Sequence, residues 1–416
     1  MIVLNATAQL TALGAVIIIQ MAYSIAVARV LGVDDFGRFS FVFSIAQILL
    51  IGCDLGLHNT AVRKIALRLA KGDGDAKSAF TTFFSLKLLV SLVLLLAAAA
   101  LSILLRDTAG TRLALFLFAA GVFFQSLNAA LNMTFQAHGK LYLGSLSNVV
   151  MPLLNLVIAA VFMVLGGRLV ALGTAYALAM ALAFVLNWIV FHRRIHPVRF
   201  GGLEHWREFA WESFPVGLGT LLNTVAARID MTMLALLAGS YATGIYSAAY
   251  RIYGSLLNIP IAIFSAVLPV MASFGEKREG VRALFNRSII SMLAIVVPLA
   301  VVLFATAGIL VRVLFGQTYT SASDILAILA WSLIPAFIGM AFSHVILSQA
   351  ALVRRLPLIA GAALIANVGL NLVLIPKMGN RGAAWSTLGT ETILAVLYAA
   401  GAGGFLFDLK PRIARI

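Results

Sequence analysis

Apolar runs of about 20 residues recur from one end of this 416-residue chain to the other, each long enough to cross a bilayer as a helix. Few folds satisfy that constraint. The runs lack the period-two alternation of an outer-membrane barrel. Charged residues make up only 11% of the chain, against roughly 25% in an ordinary soluble domain, so no sizeable soluble domain is left room. The expected fold class is all-α: a polytopic membrane protein with about twelve transmembrane helices.

The apolar runs place helices at Thr7–Leu31, Phe36–Leu57, Thr81–Leu105, Leu113–Gln136, Leu143–Gly166 and Val170–Phe191 in the first half. The second half follows as Trp211–Ala238, Thr243–Ala272, Ser288–Phe315, Ala322–Ser348, Pro357–Ile375 and Gly382–Leu406. Between the halves, 193–210 is rich in Arg, His and Glu and reads as a linker, which gives lobes at 1–192 and 211–416. The first apolar segment has neither a basic n-region nor a convincing cleavage site and reads as a retained helix.

The halves echo each other. Leu31-Gly-Val-Asp-Asp-Phe-Gly-Arg-Phe-Ser40 recurs loosely as Ala238-Gly-Ser-Tyr-Ala-Thr-Gly-Ile-Tyr-Ser247, each at the hairpin between the first two helices of a half. Asn155-Leu-Val-Ile and Gly166-Gly-Arg return as Asn371-Leu-Val-Leu and Gly379-Asn-Arg. Six helices per half bring the second copy in from the same side, so the expectation is two parallel six-helix lobes around a central cavity. Alternating access is the usual mechanical consequence.

The formal net charge is +15, yet the basic residues sit in short loops beside membrane segments, where they orient helices and meet anionic lipid headgroups. Without a basic patch on a soluble module, nucleic acid is not an expected partner. With twelve helices, the side holding both termini carries more than twice the Lys and Arg of the other, so both termini are expected to be cytoplasmic. The single Cys53 excludes an internal disulfide. Six scattered histidines lack ligand spacing, so neither a metal nor a cofactor is expected.

Charges inside the apolar runs are the candidates for function, because charge in hydrocarbon is costly and usually faces a hydrated path. Arg228 and Arg251 lie at similar depth on adjoining helices, about 15 and 12 Å below the outer ends at 1.5 Å per residue. Their guanidinium groups offer paired donors that suit phosphate oxygens; the alternative is that they neutralise buried acids or bind backbone carbonyls. Asp230 is about 200° around the helix from Arg228 and so faces elsewhere, in an ion pair (Arg251 is one candidate partner) or in proton coupling. Glu391 and Asp54 are the other intramembrane acids, candidates for coupling; Asp54 alternatively caps or orients the Arg63 region. Lys87 either snorkels to the headgroups or serves as a cation for an incoming anionic cargo. Gln125, Asn128, Asn132 and Gln136 make one polar stripe, read as interhelical hydrogen bonding or as the lining of a sugar path. Tyr246, Tyr250 and Tyr253 make another, suited to stacking on sugar rings or to an interfacial position. Pro260, Pro269 and Pro298 are expected to kink their helices.

Arg29-Val-Leu-Gly-Val-Asp-Asp-Phe-Gly-Arg-Phe-Ser, Asp54-Leu-Gly-Leu and Arg63-Lys-Ile-Ala resemble the opening of polysaccharide-type oligosaccharide flippases of the multidrug/oligosaccharidyl-lipid/polysaccharide exporter superfamily. Asp230, Gly244-Ile-Tyr-Ser-Ala-Ala-Tyr-Arg-Ile and Pro269 resemble the start of that family's second half. The resemblance implies a MATE-like fold in the bacterial inner membrane and a cargo of undecaprenyl-diphosphate-linked sugar repeat units. These would be destined for O-antigen, capsule or exopolysaccharide, and an ion gradient would drive their transport. It also implies a working relation with polysaccharide polymerase and chain-length machinery. Two alternatives stand beside it. The drug/cation antiporters of the superfamily commonly carry an acid in their first helix, whereas 5–28 here contains none. A membrane polymerase, ligase or glycosyltransferase acting on lipid-linked sugars would need paired carboxylates or a long outer loop, and neither is evident.

Overall fold

In the computed structural model, which describes residues 2–70, 76–105, 107–194, 206–275, 277–349 and 351–407, a glycine breaks each half at the same place. Helix α1 (Ile2–Asp54) is interrupted at Gly32 (φ 74°, ψ 177°), and α7 (Trp206–Leu256) at Gly239 (φ 84°, ψ 177°). That backbone region is open essentially to glycine alone. Both breaks are hairpins. Tyr23 and Phe39 are 16 positions apart, about 24 Å along a straight helix, yet their ring centroids are 6.0 Å apart. Asp230 and Tyr246, again 16 positions apart and identically placed about Gly239, are hydrogen-bonded at 3.1 Å.

The remaining helices are α2 (Leu57–Ala70), α3 (Ala76–Leu104), α4 (Ala109–Ala137), α5 (Leu141–Val164) and α6 (Leu169–Arg194) in the first half. The second half adds α8 (Asn258–Ser273), α9 (Arg278–Phe315), α10 (Ala322–Ser348), α11 (Leu356–Met378) and α12 (Asn380–Leu406). No strand occurs among the described residues. Ten of the described spans are long and apolar enough to cross a membrane. Two of them, Gly14–Asp54 and Gly217–Ser273, contain the hairpins, which gives the twelve crossings expected.

By contacts the chain divides into two units, Met1–Thr224 and Val225–Ile416. In the first, α4 is central and packs on α1, α2, α3, α5 and α6. Its core includes Phe80, Phe83, Phe84, Leu131, Phe135 and Phe191. In the second, α10 has the same central role against α8, α9 and α12. The later repeat is also visible. Gly166 and Gly379, both with positive φ, follow α5 and α11, and the arginines after them hold acids: Arg168 pairs with Asp35 at 3.8 Å and Arg381 with Asp324.

Several helix bounds differ from the sequence reading: α1 and α5 end a few residues earlier, at Asp54 and Val164, and the larger differences are extensions. The stretch 58–80, read as a loop, contains α2, and α9 begins ten positions before Ser288. Basic residues at these ends mark the edge of the hydrocarbon, but the helix continues because its backbone bonds are as well satisfied among headgroups. Of the three prolines expected to kink, only Pro260 coincides with a break, at the junction of α7 and α8; α8 and α9 run on through Pro269 and Pro298. Most of the expected linker, 195–205, lies outside the described residues, and 206–210 already belongs to α7.

Candidate functional site

The second hairpin gathers the charged candidates. Arg228 lies 11 positions before Gly239 and Arg251 12 positions after it, so both sit about 16–18 Å from the turn. The limbs touch at that level, where the Tyr250 hydroxyl donates to the Ala227 carbonyl at 3.1 Å. Tyr250 lies within electrostatic reach of Arg228, Arg251, Asp230 and Glu391. Arg228, Arg251, Tyr250 and Glu391 are all partly exposed. Two guanidinium groups and two carboxylates of the second unit thus lie within electrostatic reach of one tyrosine, and the Nε of Arg251 is buried.

Asp230 lies on the buried side of the same limb, 3% exposed. Its Oδ2 accepts hydrogen bonds from the Tyr246 and Thr387 hydroxyls, both at 3.1 Å. The Tyr246 and Thr387 oxygens are 2.9 Å apart, and Oδ1 has no hydrogen-bond partner among the described residues. The suggested pairing with Arg251 is replaced by these hydroxyls. Arg251 is five positions from Tyr246, about 140° further around the helix, so the two cannot face one carboxylate. Asn367 of α11 also faces Asp230. Its Nδ2 donates to Thr390 Oγ1 at 3.2 Å, and its Oδ1 accepts from Asn371 at 2.8 Å. One turn beyond Thr387 on α12, Glu391 accepts from the Tyr253 hydroxyl at 3.5 Å.

The tyrosine stripe divides by burial. Tyr246, Tyr250 and Tyr253 form a tilted stack with centroids 5.6 and 5.5 Å apart, but Tyr246 and Tyr253 are fully buried. Tyr250, the middle ring, is partly exposed.

Lys87, Asp54, Asn128 and Asn132 belong to the first unit, whereas Arg228 and Arg251 belong to the second. Lys87 does not snorkel; it is 1% exposed and donates to Asp54 at 2.7 Å. Asn128 and Asn132, 0% and 5% exposed, both accept from Asn187 Nδ2, at 2.6 and 2.8 Å. Their own amides go to Met151 Sδ at 2.9 Å and Asn148 Oδ1 at 3.3 Å. In this structure the interhelical alternative describes Asn128 and Asn132: these amides tie α4 to α5 and α6.

Sequence reasoning missed Thr387, Thr390, Asn367 and Asn371 as a set around Asp230. Their signal was present as polar residues four apart on α11 and three apart on α12 within otherwise apolar runs.

The fold is that of the multidrug/oligosaccharidyl-lipid/polysaccharide transporters. An inward-facing multidrug-resistance MATE transporter of that superfamily superposes with a TM-score of 0.75 at 17% identity, covering 95% of this chain and 96% of that one. The lipid II flippase MurJ in its inward closed conformation gives 0.74 at 15% identity, covering 96% and 87%. Within that fold, the chain belongs to the polysaccharide biosynthesis protein family, whose pattern matches residues 2–274. It is 21% identical over 384 residues to the probable low-salt glycan biosynthesis flippase Agl15 of Haloferax volcanii, covering 89% of this chain and 77% of that protein. It is 28% identical over 149 residues to the teichuronic acid biosynthesis protein TuaB of Bacillus subtilis, a match spanning 35% of this chain and only 30% of TuaB.

Proposed function

We propose that this multi-pass membrane protein is a flippase for undecaprenyl-diphosphate-linked oligosaccharide repeat units in the bacterial inner membrane. Both termini would be cytoplasmic, and the route would serve O-antigen, capsule or exopolysaccharide synthesis. The observation that carries the reading is the pairing of Arg228 and Arg251 at one depth on the two limbs of a single hairpin, with Tyr250 between them. Guanidinium forks bind adjacent phosphate oxygens bidentately, and the partly exposed tyrosine ring offers a platform for the first sugar. The polysaccharide biosynthesis family and the likeness to Agl15, a probable glycan flippase, support the same cargo class.

Asp230 is the coupling group in this reading. A buried carboxylate with one oxygen held by hydroxyls and the other unmatched is a receptor for a small monovalent cation or a proton. Glu391 is within electrostatic reach of both Asp230 and Tyr250, so a cation held at Asp230 changes the field felt by the diphosphate. The two lobes alternate access, with the boundary between them inside α7, and polysaccharide polymerase and chain-length machinery act downstream. A drug/cation antiporter is disfavoured because two partly exposed arginines outnumber the one partly exposed glutamate near Tyr250. A polymerase, ligase or glycosyltransferase is disfavoured because Asp230 is too buried to meet an acceptor sugar.

Complementation tests the reading. In a host lacking its own flippase for one repeat unit, the chain should restore surface glycan, and Arg228→Ala with Arg251→Ala should not, at equal protein level. Restoration by the double variant would remove the diphosphate site.

A further inference from the structure

The start of α7 belongs by contacts to the first unit, where several kinds of contact hold it. Phe209 is buried in the first unit's core beside Leu57, Ala61 and Ile65 of α2. Lys64 of α2 bonds Glu208 at 2.7 Å and Glu212 at 3.2 Å, and its ammonium lies 4.4 Å from the Phe209 ring centroid. Arg63 adds a contact to Glu212 at 3.4 Å.

Backbone then meets backbone. A Cβ on Gly217 would fall 2.0 Å from the Leu55 carbonyl carbon, and one on Gly56 would fall 2.4 Å from the Ser213 carbonyl oxygen. Leu55 and Gly56 both have positive φ, 40° and 77°, and form the joint between α1 and α2. Only glycine at both places allows this approach.

The stretch that follows the fastening is poorly suited to stay straight. Pro215, Gly217 and Gly219 fall within five positions of one helix, and each weakens the helix around it. Beyond Thr224 the same helix leaves the first unit and carries Arg228 and Asp230. The ion pairs of the fastening are partly exposed: the Glu208 and Glu212 side chains are 57% and 38% exposed. Exposed ion pairs hold weakly and release readily.

We infer that 206–214 is a strap that latches onto α2 through Lys64 and Arg63 and is hinged at 215–219. In the structure the strap is closed. When it opens, Glu208 and Glu212 leave the two basic residues, the Gly56–Gly217 approach is lost, and α7 bends ahead of the limb that carries Arg228. Latch and Arg228 are then coupled through one continuous helix. This device stands whatever the cargo is, and its test needs no transport.

Spin labels on Leu67→Cys in α2 and Trp211→Cys in the strap, both exposed positions, report the separation in the full chain in nanodiscs. The native Cys53 is buried and leaves the labels well defined. The parent should give mainly one short distance. Glu208→Gln with Glu212→Gln should raise the long-distance fraction at least threefold, and Gly217→Ala should do so independently. Reversing all four charges (Arg63→Glu, Lys64→Glu, Glu208→Lys and Glu212→Lys) should restore the short distance. An unchanged distribution in both the glutamine pair and the Gly217→Ala variant would overturn the proposal. So would a charge-reversed protein that stays open.

Discussion

Replacing Arg251 by Lys should weaken binding of a polyprenyl diphosphate about tenfold, and replacing it by Ala about a hundredfold. The reasoning starts from Arg251 at the depth of Arg228, partly exposed and beside Tyr250. A guanidinium on a diphosphate makes two charge-assisted hydrogen bonds, each contributing about 1.5–3 kcal/mol, and the lower figure suits a site that is not fully dry. Lysine keeps the charge and one bond, losing about 1.5 kcal/mol, which is close to tenfold. Alanine loses both bonds, about 3 kcal/mol, or roughly a hundredfold. The double alanine variant should fall short of the product of the single effects, because two arginines on one ligand are not independent. Equilibrium binding of radiolabelled undecaprenyl diphosphate to the protein in nanodiscs, with inorganic pyrophosphate as competitor, measures all four values. Lysine binding as tightly as arginine, with alanine within twofold, would refute the bidentate argument.

Other substitutions probe the rest of the account. Asp230→Asn keeps the size of the side chain and one acceptor oxygen but replaces the other with an amide donor and removes the charge; diphosphate binding should persist while stimulation of flipping by an imposed ion gradient disappears, measured in liposomes with and without the gradient. Lys87→Met strands the Asp54 carboxylate, and because Asp54 retains some exposure the cost should be about 3 kcal/mol, at the low end for a broken buried pair. Thermal unfolding in nanodiscs should show that loss, with most of it recovered in Lys87→Met/Asp54→Leu. Gly239→Ala forces a side chain into backbone at φ 84°, ψ 177°, which costs about 1–3 kcal/mol and should lower the melting temperature and monodisperse yield together.

Membrane class, helix number and repeats were readable because hydrocarbon imposes a long, uniform signal on the sequence. The hairpin motif at 31–40 and 238–247 pointed to the very glycines that break α1 and α7. The similar depth of Arg228 and Arg251 was readable too, since it follows from counting residues back from the turn. Rotation about each helix axis was less accessible. Asn128 and Asn132 have a spacing that fits a lumen or an interface equally well, and only their bonds to Asn187 decide between them. The Asp230 pocket was hidden for another reason: its partners Thr387 and Asn367 are neutral and far along the chain, so their local polar spacing does not connect them to Asp230. Likewise the closeness of Gly56 to Gly217 is a tertiary fact without a sequence signature.

The central claim is that two guanidinium groups on one hairpin hand a lipid-linked diphosphate across the membrane. The most direct measurement is the rate at which purified protein in liposomes moves a fluorescent undecaprenyl-diphosphate oligosaccharide from one leaflet to the other, read by a quencher confined to one side. The parent should move it well above protein-free vesicles, and Arg228→Ala/Arg251→Ala should fall to that background. A double variant as fast as the parent would contradict the account.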